Sequence, residues 1–352
     1  MGIKMTEPMK TTEQQTIPSR QVPEASKREL LIFLLIAFAV PYVMGIPMYA
    51  CRLLGAPTDM FANAQMFYPA AGVMLAFLIV RRNDPMIPRR FYIMHLAATV
   101  LMIVLCFAQL AVPQVPLVTA ASGLYVLLSI LGWVLLLTDR KEKREAYGLR
   151  WHGRVGLAIG ILVLFVVIKT ASVMLGAAFS GELGMYLSYW ATPWPWVLLL
   201  LTVVQFPLVF LPFFGEEYGW RYYFQPLLQK RFGLRGGVLL LGVLWGLWHL
   251  PLNLFYYSPD TSLQSIVAQL YTCVTLGVFF AFAYMKTNCI WLPVMLHYLN
   301  NNLVVVYTGS AQISNVVFSW KDVAVSGVIL LALYMPFLAS KVFVEKRKEK
   351  QE

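Results

Sequence analysis

The sequence predicts an all-α fold, a polytopic bundle of about ten transmembrane helices, because charge-free stretches recur at the roughly 20-residue length that crosses a bilayer. Composition supports this prediction. Hydrophobic residues make up 59% of the 352 residues and charged residues only 13%, with a mean hydropathy of +0.67. A soluble domain of this length would not tolerate that composition on its surface.

The spans follow from these stretches in chain order. The long apolar run 91–138 has room for two helices, and Pro113 and Pro116 place the turn between them. A polar and aromatic segment at 180–193 separates the fifth span from the sixth. The predicted spans are 30–51, 60–80, two within 91–138, 155–179, 194–229, 236–257, 263–285, 289–307 and 323–340.

The positive charge is explained by membrane topology. The net charge is +11, and basic residues cluster near 27–28, 81–90, 140–154, 230–235, 286 and 346–350, which are alternate connections and both termini. The positive-inside rule then places both termini in the cytoplasm. This distribution argues against nucleic-acid binding, which would favour a basic patch on one face.

Polarity also divides the chain into four parts. We expect a disordered cytoplasmic tail at 1–28, N-terminal transmembrane helices at 29–179, a transmembrane core at 180–310 that holds the candidate functional residues, and a last helix with a basic cytoplasmic tail at 311–352. Apart from Lys169 and two histidines, the helices before 180 carry almost no ionisable residue. Without an endoplasmic-reticulum retrieval or transit signal, the expected location is a bacterial plasma membrane.

The first polar group in the core is Glu216-Glu217-x-x-x-Arg221. A spacing of four residues puts Glu217 and Arg221 on one helix face, where they can pair. Glu216 lies about 100° around the helix, so it lacks this intrahelical partner. A buried carboxylate of this kind could take a proton from water.

Two further polar groups follow on later helices. Trp245-x-x-x-His249 precedes Pro251, which should bend the helix near the histidine. His297-x-x-x-Asn301 places its two polar side chains on one helix face. A rise of 1.5 Å per residue puts all three groups roughly 12 to 21 Å inside the membrane, at one level. Close helix approach there is favoured by Gly215, Gly219 and Gly246.

These residues alone leave several alternatives open. The glutamates and the arginine could form a structural ion-pair lock, and each histidine could be an interhelical hydrogen-bond partner. The set could also belong to a non-catalytic scaffold or a bacteriocin self-immunity protein that binds peptide or lipid. A proton-coupled transporter could use buried Glu and His as well, although the sequence has no evident internal repeat.

Together, the three motifs resemble the CPBP family of intramembrane proteases, which includes CAAX prenyl endopeptidases and bacteriocin-processing, Abi-like proteins. The resemblance covers roughly residues 203–306. It implies that Glu216 activates water and that His249 holds or polarises that water. It also implies that His297 and Asn301 stabilise the oxyanion, while Glu217 and Arg221 support the site.

The resemblance has two departures and leaves one question open. The second motif usually begins with Phe, where this chain has Trp245, and Tyr222 follows the arginine where a small residue is common. Tyr222 could therefore narrow the path to the site. The family is often described as metalloproteases, so zinc held by Glu216, His249 and His297 is one alternative. A metal-free, glutamate-activated water is the other.

The resulting interpretation is an integral-membrane endopeptidase of the CPBP type. It would hydrolyse a peptide bond in or near the bilayer by direct attack of water, because no serine or cysteine accompanies a histidine motif at the predicted level. Its expected partners are a membrane-associated peptide or protein substrate and the lipid bilayer, without nucleic acid.

Overall fold

A computed structural model describes residues 25–310 and 313–344, and every regular element in this part of the chain is helical. The predicted all-α class is confirmed. Most of the predicted tail at 1–28 and the basic cluster at 346–350 lie outside the described residues. The first helix begins at Lys27, where Ser26 and Glu29 form a capping box that satisfies two backbone N–H groups.

The helices agree closely with the predicted spans, and the turn predicted near Pro113 lies between two of them. The long elements are Lys27–Leu53, Asp59–Val80, Arg89–Ala111, Leu117–Leu137, Val155–Ser180, Trp194–Val209, Leu234–Trp248, Ser262–Thr287, Trp291–Thr308 and Trp320–Tyr334, and the short helix Leu183–Trp190 precedes Trp194–Val209. Shorter elements include Lys141–Ala146, Leu211–Glu217, Tyr218–Phe224, Gln225–Phe232, Leu250–Leu252 and Asn253–Tyr257.

Eight of the described helices are long and apolar enough to cross a membrane, or nine if Leu183–Trp190 and Trp194–Val209, bent by 73°, form one span. The chain is therefore a multi-pass membrane protein. The ninth predicted span, 289–307, is present as Trp291–Thr308 but does not meet the same test. The reason is its polar face, which includes His297 and consecutive asparagines.

The outward helix faces are suited to lipid. On Val155–Ser180, Ile159, Val163 and Val167 recur every four residues and are each more than half exposed. This spacing forms an apolar stripe along one side of the helix. Polar side chains of the same helix, including Lys169, lie on its more buried side. The helix therefore separates a lipid-facing surface from the bundle interior.

The predicted helix 194–229 is broken at Phe210, and the break places the glutamates. Leu211 N–H would normally bond the Pro207 carbonyl, but it points to Ser129 Oγ at 3.4 Å. The Pro207 carbonyl accepts instead from Trp133 Nε1 at 2.8 Å. Two side chains of a neighbouring helix thus satisfy the backbone groups that the break exposes. We call residues 211–232, beyond the break, the glutamate segment.

The predicted bend near His249 is also present, because Leu234–Trp248 ends one residue before the histidine. Pro251 lacks the N–H that would bond the Leu247 carbonyl, and the Tyr42 hydroxyl donates to that carbonyl at 2.8 Å. The Trp248 carbonyl accepts from Gln65 Nε2 at 2.9 Å. Side chains from two N-terminal helices therefore stabilise the bend.

Close packing at the predicted glycines brings these elements together. A Cβ on Gly215 would collide with the Met66 carbonyl oxygen, and one on Gly219 would lie 2.7 Å from the Pro69 carbonyl carbon. Gly246 approaches the backbone of Leu270, where a Cβ would lie 3.0 Å from Cα. Backbone atoms cannot move aside as a side chain can, so only glycine fits at the first two positions.

Candidate active site

One cavity of about 630 Å³ brings together the four predicted catalytic residues. Glu216 comes from the glutamate segment, His249 from the bend after Leu234–Trp248, and His297 and Asn301 from Trp291–Thr308. The first three side chains are almost completely buried, whereas Asn301 is exposed to the cavity. Polar groups from three separate parts of the chain therefore converge on one cavity.

Glu216 presents its two oxygens to different surroundings. Oε2 accepts hydrogen bonds from Trp245 Nε1 at 2.8 Å and from Trp220 Nε1 at 3.3 Å. Oε1 lies 3.9 Å from His297 Nε2. Glu216 lacks the arginine partner, as expected, but Trp220 lies four residues further along the same segment and donates to it. Both partners of Oε2 are neutral, so Glu216 has no basic partner on its own helix.

Glu217 faces away from the cavity and forms the predicted pair with Arg221. Its Oε1 accepts from Arg221 Nη1 at 3.2 Å and from His297 Nδ1 at 2.7 Å. The arginine is fully buried, and its guanidinium carbon lies 4.4 Å from the Trp245 ring centroid and 5.1 Å from that of Phe280. Cation–π contacts on this scale partly replace the missing solvent.

The Glu217–Arg221 pair is incompletely hydrogen-bonded within the described chain. Glu217 Oε2 and two arginine nitrogens, Nε and Nη2, are buried without a hydrogen-bond partner there. Such atoms are costly, and a pair of this kind is weak evidence for stability on its own. The pair does hold the His297 ring in one orientation. Glu217 binds Nδ1, so Nε2 lies on the side of Glu216.

His249 is oriented by its own helix. Its Nδ1 lies 2.8 Å from the Trp245 carbonyl, which can only accept, so Nδ1 carries the proton of this bond. In a neutral imidazole Nε2 is then an acceptor. Because His249 directly follows the helix and lines the cavity, it offers a fixed acceptor there. This matches the chemistry needed to hold one hydrogen of a water molecule.

Asn301 belongs to a short chain of side-chain amides. Its Oδ1 accepts from Asn300 Nδ2 at 3.0 Å, and Asn300 Oδ1 accepts from Lys169 Nζ at 2.9 Å. All three residues line the cavity. The sequence marked Lys169 only as one of the few ionisable residues before position 180, and its place in this cavity was not predicted.

Sequence reasoning missed the two tryptophans as well. Trp245 was noted only as a departure from the usual Phe, but its indole N–H donates to Glu216. The i,i+4 spacing of Glu216 and Trp220 was a signal that could have identified the second donor. Tyr222, which was expected to narrow the path to the site, does not line the described cavity, and its ring stacks on Tyr218 with centroids 4.4 Å apart.

The predicted zinc ligands do not form a metal centre within the described residues. Glu216 Oε1 and His297 Nε2 face each other at 3.9 Å, but no group of three or more His, Cys, Asp and Glu side chains in this part of the chain could hold a metal ion. The four cysteines are all buried and free. The residues do not fit a metal centre in this arrangement, and zinc at the site stays a prediction of the resemblance.

Comparison with known proteins agrees with the motifs. Residues 190–303 match the family model described as Type II CAAX prenyl endopeptidase Rce1-like. The predicted family resemblance is confirmed. The Rce1-like segment, residues 190–303, contains Glu216, His249, His297 and Asn301, whereas Lys169 lies outside it.

A curated relative points to the same family. CAAX prenyl protease 2 of Methanococcus maripaludis is 30% identical over 97 residues, which cover 26% of this chain and 32% of the relative. The aligned part thus spans about a third of the relative's length. No solved structure matches this chain.

Proposed function

We propose that this protein is an intramembrane endopeptidase that uses Glu216 to activate water for attack on a peptide bond. The observation that carries the proposal is the cavity into which Glu216, His249, His297 and Asn301 converge. Glu216, His249 and His297 are buried there, and burial strengthens the electrostatic interactions between such groups. Charged and polar groups inside a membrane are costly, and they are usually present for function.

In the proposed reaction a water molecule lies between two acceptors. Glu216 Oε1 takes one proton as the water oxygen attacks the carbonyl carbon, and His249 Nε2 accepts a hydrogen bond from the other hydrogen. The tetrahedral intermediate then breaks its C–N bond, and Glu216 returns the proton to the departing nitrogen. The products are a new carboxyl terminus and a new amine, with no acyl-enzyme formed.

The carbonyl oxygen becomes an oxyanion in this step and needs donors. Asn301 can donate through Nδ2 from the cavity wall. His297 already donates from Nδ1 to Glu217, so its Nε2 can donate only when the ring is cationic. Glu217 Oε1 lies 2.7 Å from His297 Nδ1, and Glu216 Oε1 lies 3.9 Å from His297 Nε2. Removing one oxyanion donor typically costs about 10²- to 10³-fold in kcat.

Glu217 and Arg221 support His297 on the side away from the cavity. Neither lines the cavity, and both are fully buried. The Glu217 carboxylate binds His297 at the nitrogen away from the cavity, while Arg221 balances its charge. We propose that the pair acts by positioning His297 and takes no part in proton transfer.

The substrate that we propose is a membrane-associated peptide or protein, and the proposed setting is a bacterial plasma membrane. The cavity lies within a bundle whose outer helix faces are apolar, so a substrate held in the bilayer could reach it without leaving the lipid. The relative's name suggests prenylated C-terminal peptides as the first class to test.

The proposal is tested with purified protein in lipid and a panel of membrane-tethered peptides, with and without prenyl groups. We expect cleavage of at least one class by the wild type. Cleavage that survives a zinc chelator supports metal-free chemistry, and loss that added zinc restores supports the zinc alternative. Absence of cleavage across the panel, by protein shown to be folded from its thermal unfolding, would contradict an endopeptidase.

A further inference from the structure

Lys169 brings a cation to the candidate site from a helix outside the Rce1-like segment. Its ammonium donates to Asn300 Oδ1 at 2.9 Å, and it lines the same cavity as Glu216. No carboxylate within residues 25–310 and 313–344 forms an ion pair with it. A lysine in a membrane helix is costly to keep, so a neutral amide as its partner calls for an explanation.

The donor and acceptor chemistry of the three side chains supplies that explanation. An ammonium can only donate, so Asn300 must turn its oxygen towards Lys169. The Asn300 NH2 group then points to Asn301, which accepts the hydrogen bond through its own oxygen. The distance from Asn300 Nδ2 to Asn301 Oδ1 is 3.0 Å. The Asn301 Nδ2 group is left without a hydrogen-bond partner in the described part of the chain.

We infer that Lys169 is a positioning residue that fixes the orientation of the Asn301 amide through Asn300, so that an N–H donor faces the cavity. The oxygen and the NH2 group of an asparagine amide have nearly the same size and shape. Packing alone therefore does not select between the two amide orientations that exchange them. Lys169, a donor-only group at one end of this series of hydrogen bonds, determines the orientation of both amides. This inference rests on the proposed function, in which Asn301 donates to the oxyanion.

Replacements that differ in hydrogen-bond direction provide the test. Lys169→Met removes the donor and keeps a side chain of similar length. We expect kcat to fall about 10- to 100-fold, with little change in KM. This loss is smaller than the loss expected when an oxyanion donor is removed completely. Lys169→Arg keeps a donor-only group and should recover much of the activity. Lys169→Glu introduces an acceptor, which reverses both amides, and should lower kcat at least as far as Asn301→Ala.

A double-mutant cycle separates positioning from a general structural effect. If Lys169 acts through Asn301, Lys169→Met should have almost no further effect on kcat in the Asn301→Ala background. Equal fold-losses in both backgrounds would overturn the inference, as would unchanged kcat in Lys169→Met while the wild type cleaves. That last result would leave the proposed protease function intact, whereas failure of the wild type itself would remove both.

A direct role in substrate binding is the competing explanation and is tested with the same variants. If Lys169 bound a substrate carboxylate, Lys169→Met would raise KM for peptides with a free C-terminus and would not affect amidated ones. We expect the same loss of kcat for both peptides. A KM effect confined to the free carboxylate would overturn the positioning role.

Discussion

Glu216 and Glu217 are neighbours in the chain, yet their carboxylates have different partners. Glu216 receives two neutral indole N–H groups on one oxygen and keeps the other on the cavity side. Glu217 binds an arginine and a histidine and lies outside the cavity wall. Substitution of the two residues should therefore have different consequences for activity and stability.

Glu217→Gln should destabilise the protein more than Glu216→Gln does. The first change leaves the buried Arg221 charge without a carboxylate, which typically costs about 3–5 kcal/mol. The second keeps an oxygen that can accept from both indoles, so its unfolding free energy should change by less than about 1 kcal/mol. Denaturant unfolding in detergent measures both values. Equal losses of stability would contradict the different roles assigned to the two glutamates.

Trp245→Phe should weaken the structure around Glu216. It removes the 2.8 Å hydrogen bond to a buried carboxylate, and bonds to charged groups contribute about 1.5–3 kcal/mol. Trp220→Phe is the matched control, because its indole donates to the same oxygen at 3.3 Å. The free energy of unfolding should fall further in Trp245→Phe. The reverse order would show that the ring packing matters more than the hydrogen bond.

Among individual residues, the sequence predicted side-chain contacts within one helix better than side-chain contacts between helices. The Glu217–Arg221 pair followed from i,i+4 spacing alone. The Trp245 donor to Glu216 and the Glu217 bond to His297 join residues that are 29 and 80 positions apart. Such contacts depend on helix packing, which motif spacing does not specify.

Among the helical elements, the glycine contacts determine how close the glutamate segment lies to its neighbours. Gly219→Ala should destabilise the protein by about 1–3 kcal/mol or more, because the new methyl group meets the Pro69 backbone. Gly160→Ala is the control, since a Cβ there has no atom within 4 Å. Thermal unfolding compares the two variants. Similar unfolding temperatures for both would show that the close approach at Gly219 is not required.

The bend at His249 depends on a side chain from another helix. Gln65→Met removes the amide that donates to the Trp248 carbonyl, and leaving a buried carbonyl unpaired costs about 1–3 kcal/mol. The control is Gln264→Met, at a partly exposed residue whose side chain forms no hydrogen bond in the described chain. Unfolding in detergent should distinguish them. An unaffected Gln65→Met would show that Pro251 alone maintains the bend.

Helix ends were predictable where proline acts within its own segment. Pro113 and Pro116 marked a turn that the structure places between Ala111 and Leu117, and Pro251 marked the bend at His249. The break at Phe210 was not predicted, because Ser129 and Trp133 of another helix supply its hydrogen bonds. An apolar run alone does not reveal partners of this kind.

For the whole molecule, composition was sufficient to predict a multi-pass helical protein, and the orientation in the membrane stays a prediction. Both termini on one side require an even number of spans, and Trp291–Thr308 added to the nine candidates gives about ten. The hypothesis that chemistry is confined to the region after residue 180 was incomplete. Lys169 reaches the cavity from Val155–Ser180, and a single ionisable residue in an apolar helix does not reveal which neighbours it will meet.

Cysteine labelling tests the orientation. The native cysteines are all buried, so a cysteine placed at an exposed position should label above a low background. With a membrane-impermeant maleimide on intact cells, Glu182→Cys should be modified, and Glu142→Cys only after permeabilisation. These positions lie on either side of Val155–Ser180. Labelling of both without permeabilisation would contradict the positive-inside assignment.

The most direct test of the central claim is single-turnover cleavage of a membrane-tethered peptide by wild-type protein and by Glu216→Gln in the same lipid. The variant keeps the shape and the hydrogen-bond acceptor of Glu216 but cannot accept a proton from water. The account predicts a loss of at least about 10³-fold in the cleavage rate, with the unfolding temperature unchanged. Cleavage by a folded Glu216→Gln at a rate close to the wild type would contradict a glutamate-activated water.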